Sequence, residues 1–334
     1  MTLTAATDPT LTVTPVVWLV FVGAVLVFLA LDLGVFHRKP RAVAFGEALM
    51  WTTIWFSMAM AFAFWLAPVM VSDQWGTDQT KLFITGYVVE LSLSMDNVFV
   101  IALIFAYFRV PLEYQHRVLF WGILGALVMR GAMILGGAGL IHQFDWILYF
   151  FGAFLLFSGI KMLYAGDEEV EPEKNVVIRL ARRIYPVTTQ FVGQRFFTQL
   201  DGRRALTPLA LCLIMVETTD LIFAVDSIPA IFGITTEPFI VFTSNVFAIL
   251  GLRSLYFLLV GLLRHFCYLK YGLALVLVFI GFKMLIVLWG GRPEWLNFED
   301  DHNRVLIIVA ALLGLSIVAS LFAPKKEPAE TGGT

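Results

Sequence analysis

The chain is 334 residues long, with 59% hydrophobic side chains and only 14% charged ones, and its mean hydropathy of +0.84 lies far outside the range of water-soluble domains. A formal net charge of −2, with no long basic run and no interleaving of aromatic and basic residues, argues against a nucleic-acid partner and for the lipid bilayer. The two cysteines, Cys212 and Cys267, fall in separate apolar segments without CxxC spacing, so neither a disulfide framework nor a soft-metal centre is expected.

In chain order, the first apolar run, Val16 to Phe36, has no Lys or Arg before it and is long enough to cross a bilayer core, so it reads as a span and not as a cleaved signal peptide. Further runs follow at Gly46 to Met70, Leu82 to Phe108, Val118 to Ile141, Trp146 to Ala165, Leu206 to Ile234, Phe239 to Leu263, Leu269 to Gly290 and Val305 to Phe322. The expected fold class is all-α, a polytopic membrane protein of about nine transmembrane helices in a single domain over 1–334. The third and sixth runs exceed the length a span requires, so each is expected to be tilted or interrupted.

Lys and Arg collect in "HRKPR" (His37 to Arg41), in Arg109 to Arg117, in the stretch holding Arg179, Arg182, Arg183, Arg195, Arg203 and Arg204, in "RHFCYLK" (Arg264 to Lys270) and at Lys325 and Lys326. These are the connections after runs one, three, five and seven and the tail after run nine. The alternate connections are acidic or nearly neutral, which places the N-terminus outside and the C-terminus in the cytoplasm. The long connection 166–205 opens with "GDEEVEPEK" and continues as a basic, partly periodic piece from Val176 to Phe197. It reads as a solvated cytoplasmic linker carrying a surface helix.

The chain also resembles itself. "FSGIKMLY" matches "FIGFKMLI", pairing Lys161 with Lys283, and "ALVMRGAM" matches "ILGLRSLY", pairing Arg130 with Arg253. One register then sets Asp96 on Asp220; another sets "MDN" of Met95 to Asn97 on "VDS" of Val225 to Ser227, with Glu90 facing Asp220. Runs three to five (82–165) and six to eight (206–290) thus repeat, and because three is odd the second set enters from the opposite side. Such inverted repeats characterise secondary transporters, whose substrate site sits near the midplane between the repeats.

Within these runs lie the carboxylates Glu90, Asp96, Glu217, Asp220 and Asp226, accompanied by Asn97 and Ser227. A carboxylate at the bilayer centre costs roughly 2.5–3.5 kcal/mol on insertion scales, so it is expected to face a cavity, a partner or an ion path. Glu90, Ser94 and Asn97 share one helical stripe, and Glu217 shares a face with Asp220. Asp226 would turn inward if Pro229 opened the sixth helix. An all-oxygen donor set without nearby His or Cys suits a hard divalent cation such as Mn²⁺, Mg²⁺ or Ca²⁺. The competing reading pairs these acids with Arg130, Arg253, Lys161 and Lys283 as structural ion pairs. Lys161 and Lys283 lie near helix ends, where snorkelling to the interface is the simpler expectation. Asp32 serves equally well as an entry gate or an interfacial cap, and "GAMILGGAG" (Gly131 to Gly139) reads as close packing and lipid-facing surface. No Ser-His-Asp, Walker or HExxH pattern is present, so no catalytic residues, no resident cofactor and no enzymatic activity are expected.

At "LDLGVFHR", "ELSLSMDNVFV", "ETTDLIFAVDSIPAIF" and "GIKML" together, the sequence resembles the TerC family, most closely its Alx-like members, over nearly the whole chain. The resemblance implies a bacterial cytoplasmic-membrane protein akin to LysE-type exporters, linked with tellurium resistance and, for Alx-like members, with manganese export. It carries the acidic motif positions onto Glu90, Asp96 and Asn97 and onto Glu217, Asp220, Asp226 and Ser227. It also implies metal delivery to secreted enzymes near the protein export machinery, and a redox-modulating role for which no cofactor motif is visible. Two functions remain open at this stage: Mn²⁺ efflux, coupled to protons, or a membrane partner protein that moves no ions itself.

Overall fold

The computed structural model describes residues 11–31, 44–71, 74–144, 146–164, 175–200, 202–260, 268–287 and 302–322. Asp32, Cys267, the acidic run Gly166 to Lys174 and the basic clusters at 37–41, 264–267 and 325–326 lie outside the described residues.

The apolar runs become helices α1 (Pro15–Leu31), α2 (Phe45–Ala61), α3 (Ala67–Val71), α4 (Thr77–Tyr107), α5 (Leu112–Gln143), α6 (Ile147–Tyr164), α8 (Pro208–Phe232), α9 (Pro238–Val260), α10 (Leu269–Val287) and α11 (His302–Phe322), with a short helix α7 (Val176–Ile184) between α6 and α8. A π-helical turn, Phe62–Leu66, joins α2 to α3 into one rod. Among the described residues, eight helices, α2 with α3 counted as one, are long and apolar enough to cross a membrane, and α1 is a shorter apolar helix. The chain is thus an all-α polytopic membrane protein. The first of the nine expected spans is described only as far as Leu31, and the ends of the fifth, seventh and eighth (165, 261–263 and 288–290) also lie outside the described residues.

Local chemistry fixes the helix limits. Thr207 caps α8, its hydroxyl accepting from the amide of Ala210, and Pro208 occupies the first turn, where its missing N–H leaves no gap. Asn175 caps α7 by accepting from the amides of Val177 and Ile178. The π-helical turn leaves the Ala63 carbonyl to accept from the Trp75 indole at 3.1 Å and the Thr80 hydroxyl at 3.3 Å.

Two expectations require correction. The sixth span is not opened by Pro229: α8 runs unbroken through it to Phe232, and the ladder continues beyond with the Gly233 amide on the Pro229 carbonyl. Proline withdraws one donor, and a helix packed on its neighbours tolerates that loss. The connection before α8 is also more than a tether with a helix. It contains an antiparallel hairpin, β1 (Phe197–Leu200) with β2 (Arg203–Leu206), turned at Gly202 with a φ of +77°. β2 ends where the sixth run was expected to begin.

Packing defines the centre. In α9, 83% of the spanning stretch is buried, against 22% in α6, so α9 is an inner helix and α6 an outer one. Phe105 meets Tyr256 and Phe83 meets Phe247, so α4 and α9 run in the same direction. Gly122 faces Val216 and Gly137 faces Phe232, so α5 and α8 also run in parallel. By contrast, α6 and α10 are antiparallel and cross closely on glycine. A Cβ on Gly281 would stand 2.7 Å from the Gly152 carbonyl, and one on Gly159 would stand 2.8 Å from that of Ala274. Glycine lets these backbones touch where lipid offers no hydrophobic drive for association.

Candidate functional site

The parallel pairs α4 with α9 and α5 with α8 bring polar residues of three helices to one buried point. α4 contributes Glu90, Ser94 and Asn97, all buried. α5 contributes Arg130, a large side chain only 1% exposed, and α8 contributes Asp220 and Ser227. The stripe expected for Glu90, Ser94 and Asn97 therefore does face inward.

Arg130 organises the cluster. Its Nη1 donates to Glu90 Oε1 in a close ion pair and stands 3.4 Å from the Ser227 hydroxyl. Its Nη2 donates to Asp220 Oδ1 at 2.9 Å, and its Nε reaches Asp220 Oδ2 at 3.3 Å. The planar guanidinium thus grips Asp220 with two donors and Glu90 with a third, a geometry a lysine could not reproduce. Asn97 adds a long contact, its Nδ2 lying 3.5 Å from Asp220 Oδ1. One guanidinium thus stands between two carboxylates in the buried cluster.

Among the described residues, two buried carboxylate oxygens lack hydrogen-bond partners, Glu90 Oε2 and Glu217 Oε2. Glu217 lies one helical turn from Asp220 on α8, its carboxylate against the backbone of α5 at Gly125, where a Cβ would collide with it. A buried anionic oxygen without a donor is costly, and it is the kind of atom a cation would satisfy.

The other expected ligands stand apart. Asp96 is half-buried on α4, and no hydrogen bond or ion pair joins it to Arg130 or Asp220; the charge of Lys270, at the start of α10, acts on it. Asp226 accepts a 2.8 Å hydrogen bond from the Ser158 hydroxyl of α6, with Lys161 close enough to act electrostatically. Without an opened helix, Asp226 does not turn toward Glu217. Among the described residues, no three His, Cys, Asp or Glu side chains are grouped so as to hold a metal ion. The seven expected ligands therefore divide: Glu90, Asn97, Asp220 and Ser227 gather around Arg130, Glu217 lies alongside, and Asp96 and Asp226 sit at separate points.

Lys283 donates to the Gly233 carbonyl at 3.1 Å and is buried, which replaces the expected snorkelling with a helix-end contact. The sequence reading missed Ser158, Gly125 and the buried pair Gln115 and Tyr256, whose side chains share a 3.0 Å hydrogen bond. A hydroxyl in the lipid-facing run "LFSGIK" was the available signal for Ser158. Gly125 gave none, because its role depends on what packs against it.

With this geometry in view, the relatives can be placed. Residues 75–328 match the integral membrane protein TerC family. The chain belongs to that family. It is 48% identical to an uncharacterised membrane protein of Myxococcus xanthus over 94% of each chain. It is 49% identical to the proposed membrane-bound redox modulator Alx of Escherichia coli K12, over 87% of this chain and 98% of that one. A membrane protein of Rickettsia bellii is 38% identical over 90% of this chain and 98% of its own. No solved structure matches.

Proposed function

We propose that this TerC-family chain is a divalent-cation transporter that exports Mn²⁺ from the cytoplasm. The observation that carries the reading is the single guanidinium of Arg130 held between Glu90 and Asp220, carboxylates of two different spanning helices. Arg130 stands where a cation belongs when none is bound. An arriving divalent ion displaces it, draws in the unpartnered oxygens of Glu90 and Glu217, and forms the all-oxygen shell that hard ions prefer. Glu217, outside the grip of Arg130, holds a proton that leaves as the ion binds and returns when it departs, which supplies proton coupling.

The helix directions support inverted repeats over 82–165 and 206–290, joined by a cytoplasmic linker over 166–205. α4, α5 and α6 have α8, α9 and α10 as reversed counterparts, and each of the first two helices packs beside the second or first of the other set. The shared grip of Arg130 favours the register in which Glu90 faces Asp220, which makes Asp96 and Asp226 partners as outer stations on the path. The protein resides in the bacterial inner membrane, N-terminus outside and C-terminus in the cytoplasm, following the basic connections.

A second reading comes from what the TerC-family resemblance implies: a membrane partner that supports metalation near the export machinery, or resistance to envelope or tellurium stress, without moving ions. The two part in cells. Asp96→Asn and Asp220→Asn are expected to abolish relief of Mn²⁺ toxicity and to raise cell manganese at unchanged protein abundance. Unchanged manganese in both variants would overturn export.

A further inference from the structure

The wheel of α7 carries two arcs. At about 100° per residue, Val176, Leu180, Ile184 and Val177 span one arc of roughly 100°, and Arg182, Arg179 and Arg183 span another of similar width. The protein covers only the edge between them. Ile178 is buried, and Ala181 packs against the cluster of Leu206, Ala210 and Leu211. Val176 (72% exposed), Leu180 (55%) and Ile184 (61%) are left open, and all three arginines are exposed.

The hairpin repeats this chemistry. Phe197 and Leu200 are exposed apolar residues beside the exposed Arg203 and Arg204, and Arg195 lies just upstream. Between 175 and 207 the sequence holds six arginines against one acid, Asp201. The assembly is fixed at one end of the bundle. The Asn175 amide donates to Met215 Sδ of α8 at 3.3 Å, the Arg117 guanidinium of α5 stacks 5.3 Å over the Phe196 ring, and the Thr207 hydroxyl donates to the Arg195 carbonyl at 2.7 Å.

We infer that α7 and the hairpin form a docking platform for anionic phospholipid headgroups in the leaflet where α5 and α8 begin. The apolar arc has to be covered. At the membrane-level end of two spanning helices, acyl chains meet it without any further partner. The arginine arc then lies at headgroup depth, where guanidinium binds phosphate through paired donors and where an anionic leaflet concentrates such groups. Both arcs are needed: a water-soluble phosphate would satisfy the arginines and leave Val176, Leu180 and Ile184 in water. The inference does not depend on ion transport.

The test is native mass spectrometry of the full-length protein in neutral detergent, titrated with phosphatidylglycerol or phosphatidylcholine of identical chains. Wild type is expected to retain phosphatidylglycerol preferentially and to keep it against excess inorganic phosphate. R179Q/R182Q/R183Q is expected to lose that preference by roughly tenfold to a hundredfold, and the single variants to show graded losses should the triple variant fold poorly. Leu180→Ser with Ile184→Ser is expected to weaken retention with every arginine in place. Equal retention of the two lipids by wild type, undiminished preference in the variants, displacement by phosphate, or an α7-dependent dimer mass in place of bound lipid would each overturn the platform.

Discussion

Arg130 does at residue scale what the sequence left undecided. Of the four bases on the spanning runs, Arg130 lies in the cluster, holding Glu90 and Asp220 together with only 1% of its surface exposed. Removing one member of a buried ion pair leaves the other charge uncompensated, at about 3–5 kcal/mol. Arg130→Gln is therefore expected to lower the melting temperature in detergent markedly, and adding Glu90→Gln to restore much of the loss. Single and double variants of equal stability would contradict a structural ion pair between Arg130 and Glu90. Gly125 is a second lever. Alanine there pushes aside the Glu217 carboxylate, the far end of a flexible side chain, so the cost should stay near the low end of overpacking, about 1 kcal/mol, and Glu217→Ala should remove it in a double-mutant cycle.

Elements were legible where length and apolarity suffice. Runs of about twenty apolar residues can do little but cross a bilayer as helices, so the spans emerge close to their expected bounds, as with Trp146 to Ala165 against α6, Ile147–Tyr164. Elements set by local turn chemistry were less visible. The hairpin needed only the Asp-Gly pair of "TQLDGRRA" between two short segments, a signal masked by the arginines around it. Pro229 shows the opposite error, a local rule applied where packing overrides it. The close packing and open surface expected of "GAMILGGAG" are both present: a Cβ on Gly137 would come within 2.8 Å of the Phe232 ring, whereas Gly136 and Gly139 are exposed with nothing within 4 Å. At the α6 and α10 crossing, Gly281→Val is expected to separate the helices and destabilise the bundle by about 1–3 kcal/mol or more. An unchanged melting temperature would show that the crossing carries no weight.

At the scale of the molecule, the acids form a graded series and not one ligand shell. Glu90 and Asp220 meet at Arg130 with Glu217 alongside, Asp96 feels the charge of Lys270 at the start of α10, and Asp226 is hydrogen-bonded to Ser158 of α6. No linear pattern could reveal that division, because it depends on which helices run parallel and on Arg130 entering between α4 and α8. What the sequence did carry was the inventory: every residue of the cluster except Ser94, marked only as part of a stripe, was a named candidate ligand or its suspected counter-charge.

Mn²⁺ flux into vesicles containing only the purified protein tests this account most directly, compared with Mg²⁺, Ca²⁺ and Zn²⁺ under an opposing pH gradient. The account predicts Mn²⁺ movement that responds to the gradient and is lost in Asp220→Asn. No flux under any gradient, or wild-type flux in Asp220→Asn, would contradict it.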